Sequence, residues 1–375
     1  MNRTIADSNE FEEPPHPADD RSSQPVPVLT CMANVTAKDV EWVWFQRLAI
    51  GKLTVLAGDP GLGKSWLSLY IAAQLSTGGP WPDGGNAPVM STLLMNAEDA
   101  LDDTIKPRLI ALGADCSRIH ALAVSRTGLR EKFVQLSDIN VIEKAMDETG
   151  AGLVVVDPVT AFLGDKVDSY RDSDVRALLR PLANMLEQRG AAGLCVMHLR
   201  KGTGQKALHR VAGSIAFGAA ARIALGVVED PDDEDKQRRL LAAMKQNNSA
   251  ASEALAFWID QGQLFWAPEP IGQVDIDALM GGASKKSDEA GEEANTPAER
   301  LLREWLADAD RWPMLADDAY QAGVAAGISH RTLQRTALEK LGIRSQRSGF
   351  GGKVVWHRPH TGHEPSTHSS HESGQ

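Results

Sequence analysis

Eight consecutive residues, Gly58-Asp59-Pro60-Gly61-Leu62-Gly63-Lys64-Ser65, confine this chain to a narrow set of folds. The apolar run Leu53–Ala57 precedes them, and Trp66, Leu67, Leu69, Tyr70 and Ala73 follow at helical spacing. The eight therefore form a strand-to-helix turn. Three glycines let successive backbone N–H groups face one anionic cluster, and the helix N-terminus adds the positive end of its dipole. Lys64 is expected to reach the β- and γ-phosphates of a nucleoside triphosphate, and the Ser65 hydroxyl to ligate Mg²⁺. The bland alternative is a glycine-rich turn without a ligand. All four defining residue types stand here with a strand before and a helix after, which argues against it.

A chain of 375 residues accommodates about two domains at ~150 residues each. No apolar run approaches the ~18–20 residues that span a bilayer, and no signal peptide opens the chain. Cys31, Cys116 and Cys195 are scattered and odd in number, which points to a reducing cytosol and a cytoplasmic protein, not a disulfide framework. The formal net charge of −11 places any nucleic-acid contact in local basic patches.

Composition divides the chain. Residues 1–29 are rich in Pro, Asp, Glu and Ser and are expected to be a disordered tail. Residues 30–267 form the main domain, 268–297 a Gly/Ser/Glu/Lys-rich linker, 298–359 a second module and 360–375 a polar tail. His360, His363, His368 and His371 are spaced irregularly in that tail and read as flexible polar residues, not as metal ligands. In the main domain, strands are expected at Leu53–Ala57, Thr92–Asn96, Ile119–Ala123, Leu153–Asp157 and Leu194–His198, with helices such as Asp138–Glu148 and Ser173–Arg189 between them. Pro181 is expected to kink the second of these helices. Such alternation predicts an α/β fold with a mostly parallel sheet covered on both faces. Arg222–Glu229, Arg239–Lys245, Glu253–Ile259 and Leu264–Trp266 follow as strands without helices, an antiparallel extension of one sheet edge.

Three strand ends carry the remaining chemistry. Asp157 closes the buried run Leu153-Val-Val-Val and is expected to hold a Mg²⁺-bound water, unless it merely caps the next segment. Glu98 follows the strand ending at Asn96 and is the candidate for polarising the attacking water. Asp99 is the alternative for that role, and either acid serves equally as a helix cap. His198 ends a later strand, where it reports nucleotide state to the loop Arg200–Arg210 or acts as an ordinary structural histidine. That loop carries Lys201, Lys206, His209 and Arg210 without an acid, a cationic track for nucleic-acid phosphates or simply a solvated charge run.

Gly58–Ser65, Asn96-Ala-Glu-Asp99, Val155-Val-Asp-Pro158, His198-Leu-Arg-Lys201, Arg210–Phe217, Ala220-Ala-Arg222 and Met244-Lys-Gln-Asn247 occur in that order. Over roughly Trp42 to Trp266 the chain resembles the RecA-fold, AAA-family ATPases of the plasmid replicative-helicase RepA type, relatives of DnaB, KaiC and RecA. The resemblance implies a homo-oligomeric ring, usually hexameric, with ATP between subunits. It also implies Glu98 as catalytic base, His198 as γ-phosphate sensor and Arg222 as an arginine finger reaching the neighbour's site, assisted by Lys245. An arginine opening a surface strand is the plainer account of Arg222. The N-terminal tail and C-terminal extension depart from the minimal plasmid helicase, so processive unwinding is not implied.

Beyond the linker, helices are expected at Ala298–Leu306, Ala316–Ala326 and His330–Leu341, the last capped by Ser329. Ile343–Gln346 and Lys353–Trp356 flank Gly349-Phe-Gly-Gly352 as a two-stranded wing, and Leu333, Leu338, Leu341 and Trp356 are the expected core. The order resembles a winged helix-turn-helix, a module that contacts DNA in some proteins and protein in others. Arg331, Gln334 and Arg335 are expected on its exposed helix face. The sequence thus favours a DNA-dependent ATPase using ATP and Mg²⁺, single-stranded DNA meeting the core loops and duplex the C-terminal module. An ATP-switched DNA-binding regulator and a kinase on the same phosphate loop are the competing classes.

Overall fold

The computed structural model describes residues 27, 29–127, 130–164, 167–168, 171–199, 210, 215–233, 235–280, 296–347 and 352–359. The chain divides into two compact units, Met1–Asp39 and Val40–Gln375. In the described part of the first, Met32–Asn34 makes one 3-10 turn that buries no side chain.

The second unit is built on a large sheet whose strands, numbered in chain order, are β1 (Leu53–Gly58), β2 (Ser91–Asn96), β3 (Ile119–Ala121), β4 (Ala151–Asp157), β5 (Ala192–His198), β6 (Ile223–Glu229), β7 (Arg239–Gln246), β8 (Leu255–Asp260) and β9 (Gln263–Trp266). Among the described residues they pair in the order β9-β8-β7-β6-β1-β5-β4-β2-β3. From β6 to β3 every pairing is parallel. From β6 to β9 every pairing is antiparallel, the extension expected from the four helix-free strands.

Strand side chains alternate between two cores because successive residues point to opposite faces. Leu53, Val55, Val154, Val156 and Cys195 join one cluster, with Ile142 and Met146 of α3 (Ile139–Thr149) and Leu178, Leu182 and Leu186 of α4 (Asp172–Arg189). Leu56, Leu94, Leu153, Val155, Leu194 and Val196 join the other, with Leu67, Tyr70 and Ile71 of α1 (Lys64–Thr77) and Leu109 of α2 (Lys106–Ala111). The α1 helix is apolar nearly all round because β-strands lie under it and other elements over it. It ends where Gly78, at φ 72°, donates its N–H to the Gln74 carbonyl, a left-handed cap that glycine adopts without strain. α4 runs through Pro181, where the sequence suggests a kink, to Arg189, with Leu178, Leu179, Leu182 and Met185 buried on either side of the proline.

Beyond α5 (Ile215–Ala220) and α6 (Ile276–Met280), α7 (Pro297–Ala307) opens on a capping box between Thr296 and Glu299. α8 (Ala316–Ala325) and α9 (His330–Arg335) follow, and Ser329 accepts from the Thr332 N–H at 3.2 Å as the N-cap of α9. The chain continues from α9 as a wider π turn over Thr336–Lys340, where the sequence suggests an unbroken α-helix. Strands β10 (Met314–Leu315), β11 (Arg344–Arg347) and β12 (Val354–His357) make a small antiparallel sheet, β12 in the middle. Leu302, Trp305, Leu333, Ala337, Ile343 and Trp356 form its core. Leu338, expected there, is only half-buried, because the wide turn redirects the side chains beyond Arg335.

Candidate functional site

Strand register brings the candidate residues to one edge of the sheet. Gly58 pairs with His198 across β1 and β5, and Asn96 with Asp157 across β2 and β4. The C-terminal ends of four parallel strands therefore stand level, at the place where open α/β sheets present their ligands.

The loop from Gly58 to Gly63 turns through left-handed backbone at Gly61 (φ 82°) and Gly63 (φ 84°). A Cβ at Gly63 would also lie 2.7 Å from Ile259 Cδ1 of β8, so the loop has room for no side chain there. Lys64 is buried, and its Nζ donates to the Asp59 carbonyl at 2.8 Å, folding the side chain back over the loop. Burial pushes its ammonium down to about 8, against the opposing pull of Asp157, Asp59 and Glu98.

Asp157 is buried at the tip of β4. Ser68, one turn beyond Ser65 on α1, places its Oγ 3.1 Å from Asp157 Oδ2 and 3.0 Å from the Ser65 carbonyl. Burial raises the Asp157 carboxyl above its ordinary value, hydrogen bonds from Ser65 and Ser68 pull it back, Glu98 raises it further and Lys64 lowers it. A hydroxyl beside a buried carboxylate suits a magnesium ion, which takes few protein oxygens and completes its shell with water and phosphate.

Glu98 and Asp99, left as alternatives by the sequence, differ in their contacts. Asp99 is held by Arg108 at 2.8 Å and its N–H donates to Asn96 Oδ1 at 2.9 Å, whereas Glu98 is exposed and its charge acts on Lys64, Asp157 and His198. The His198 imidazole is pushed below its ordinary value, first by burial and then by Lys64, with Glu98 opposing. Its Nδ1 is buried without a hydrogen-bond partner among the described residues.

Arg222 stands elsewhere. It precedes β6, its N–H donating to the Leu53 carbonyl at the start of β1, and its side chain is exposed. That is the opposite end of β1 from the phosphate loop, about 16 Å away at ~3.3 Å per strand residue. Lys245 donates to the carbonyls of Gly218 (2.9 Å) and Ala221 (2.7 Å). It fixes the end of α5 (Ile215–Ala220), directly before Arg222.

The candidate nucleic-acid residues fare differently. Lys201, Lys206 and His209 lie outside the described residues. Arg210 is not a surface cation here; it is buried, with Nη1 donating to the Met280 carbonyl at 2.6 Å and Nη2 lying 3.8 Å from Asp59 Oδ1. Arg331 is exposed as expected, but Arg335 turns to Asp235, with Nη1 2.8 Å from Oδ1.

Two arrangements have no counterpart in the sequence reading. Ser68 is one; its only signal is helical spacing from Ser65. The other is Arg108, whose guanidinium lies 5.3 Å from the ring centroid of Trp66 while it holds Asp99, a flat cationic surface beside the phosphate loop.

Residues 20–204 match the family model of an AAA domain. The core is a RecA-like P-loop fold. The chain is similar to the DNA repair protein RadA of Bacillus subtilis (strain 168), 28% identical over 153 residues, 40% of this chain and 28% of that protein. It is also similar to the DNA repair protein RadA of Halalkalibacterium halodurans, 26% identical over 189 residues, 49% of this chain and 36% of that protein. The chain thus spans about a third of the length of these relatives. No described helix is long and apolar enough to cross a membrane.

Proposed function

We infer that this chain binds and hydrolyses ATP and that hydrolysis serves work on DNA. The observation that carries this reading is the shared edge where Lys64, Asp157, Glu98 and His198 lie within electrostatic reach of one another. Ser65 and Asp157 would hold magnesium, which would supply charge neutralisation of the phosphates. Lys64 leaves the Asp59 carbonyl for phosphate oxygen, regaining a counter-charge that returns its ammonium towards the ordinary range. Glu98, free of the Arg108 pair that occupies Asp99, orients water and takes its proton. His198 offers a buried nitrogen without a hydrogen-bond partner among the described residues, beside these groups, and relays the occupancy of the site to the loop that follows it.

Arg222 cannot serve its own phosphate loop from the far end of β1. Its role as a finger therefore requires a neighbouring copy, and a ring of subunits, hexameric in the RepA type that the chain resembles, supplies that geometry. An arginine delivered in this way contributes ~10³–10⁵ in rate. The similarity to RadA supports DNA as the partner. A winged-helix reading of residues 298–359 adds duplex contact through Arg331 and the exposed Arg344 and Arg347 of β11.

ATPase rate with and without single-stranded DNA tests the reading. Several-fold stimulation is the expected result, and an unstimulated rate accompanied by tight site-selective duplex binding would assign the chain to ATP-switched regulation instead.

A further inference from the structure

In the reading of residues 298–359 as a DNA-contacting module, Arg331 and Arg335 belong together. They are four residues apart on α9 and so lie on one helix face. Arg331 is exposed, whereas the Arg335 side chain is 32% exposed. Arg335 is taken by Asp235, whose side chain is 5% exposed, at 2.8 Å. His330, at the start of the same helix, sets Nδ1 3.6 Å from Asp260 Oδ2 at the end of β8. The turn before α9 is equally close to the core, since a Cβ at Gly327 would meet Pro268 Cδ at 3.1 Å. A phosphate backbone laid across α9 would have to displace these contacts to engage both arginines.

The segment that meets α9 here is acidic. The segment from Asp230 to Lys236 joins β6 to β7, and its carboxylates divide their work. Asp230 pairs with Arg238 at 2.6 Å, and Asp233 Oδ2 accepts from the N–H groups of Gln237 and Arg238 at 2.7 and 2.6 Å. Those bonds shape the described part of the loop from within, and Asp235 faces α9. Its Oδ1 takes Arg335, while its Oδ2 is buried without a hydrogen-bond partner among the described residues. Parting from Arg335 would leave this buried carboxylate unpaired, so release has to be coupled to movement of Asp235 into solvent.

The other flank of this loop borders the nucleotide site. Val227 of β6 pairs with Gly58, and Glu229, Asp230 and Asp232 line one cleft with Asp59, Pro60 and Leu62 of the phosphate loop. One short segment thus touches the phosphate loop's cleft on one side and α9 on the other.

We propose that the loop Asp230–Lys236 is an internal competitor for nucleic acid, its Asp235 holding the Arg335 face of α9 until duplex DNA or a change at the phosphate loop releases it. The proposal rests on the module's role as a DNA contact. In the docked state the affinity for duplex is reduced by the fraction of molecules that are released, so weakening the dock tightens binding without adding any contact.

The test uses the full chain and a fluorescein-labelled mixed-sequence DNA duplex, followed by anisotropy at fixed salt. Asp235→Asn is expected to tighten binding roughly tenfold, the size of one charge-assisted contact. Glu269→Gln makes the same charge change at an exposed acid outside the loop and controls for long-range attraction; it is expected to alter binding less than about twofold. Equal effects of the two substitutions, or no effect of Asp235→Asn, overturn the proposal while leaving the module's DNA contact in place. No duplex binding by any form overturns both. Wild-type protein gives a second readout that needs no variant. Saturating duplex should speed amide exchange across 230–236 while slowing it across 330–335, and an unchanged or slowed loop would show that the dock persists on DNA.

Discussion

Ser68 reaches across from α1 to Asp157, hydroxyl to carboxylate at 3.1 Å, and so ties the second turn of the phosphate-loop helix to the tip of β4. Both groups are buried, so the orientation of the carboxylate is set before any ligand arrives. Ser68→Ala removes that bond from a buried acceptor, an effect on the order of 1–3 kcal/mol. The expected outcome is a shift of the Mg²⁺ dependence of ATPase activity to roughly tenfold or more higher concentration, with kcat at saturating Mg²⁺ little changed. An unaltered Mg²⁺ titration would remove Ser68 from the positioning of Asp157.

The separation of Glu98 from Asp99 predicts opposite phenotypes for adjacent acids. Glu98→Gln should bind ATP normally yet lose turnover by ~10²–10⁴, the contribution of a positioned base. Asp99→Asn breaks the Arg108 pair, which is about a third exposed, and should lower stability by less than ~1 kcal/mol while retaining turnover. Single-turnover hydrolysis and nucleotide-binding titrations on the two variants decide it. Reversed phenotypes would transfer the role to Asp99.

Lys64 gives a pH dependence of two signs. Burial holds its ammonium down to about 8 in the folded chain, against 10.5 in the unfolded chain. Between those values the unfolded state binds the extra proton, so this group's contribution makes the folded protein more stable as pH rises from about 8 to 10.5. ATP binding runs the other way, because phosphate needs the charged form. Affinity for ATP should fall through the same window, and Lys64→Met should abolish both trends. Calorimetric titration and melting curves against pH measure them, and an affinity flat across the window would contradict the burial effect.

Arg222→Ala should reduce turnover by ~10³ or more. Mixed with Lys64→Ala protein, which keeps its own Arg222, it should recover activity if the finger is delivered between copies. Particle mass measured with ATP verifies that the two co-assemble. Co-assembly without recovery would refute delivery between subunits.

The fold was largely legible because its signals are local. Buried apolar runs mark β1, β2, β4 and β5, and the chemistry sits at their ends, so reading strand termini finds Asp157, Glu98 and His198 together. Pairings between distant segments left no such trace. Arg210 belongs to a stretch without acids, yet it is buried against Met280, seventy residues on, and near Asp59. Arg335 shows a helical face to the sequence reader and an acidic partner one hundred residues earlier to the fold. The charge of an arginine is visible in a sequence; which carboxylate or carbonyl neutralises it is decided by topology. The same holds for Arg108, whose stacking on Trp66 requires α2 to lie beside α1.

The pairing of Gly58 with His198 limits how a nucleotide signal can leave the site. A strand slipped by a single residue would swing every side chain to the wrong face, turning His198 away and driving apolar groups out of both cores. The sheet is therefore an anvil: it cannot yield to the blow of hydrolysis. Recoil has to travel outward through the segments that begin where the strands stop.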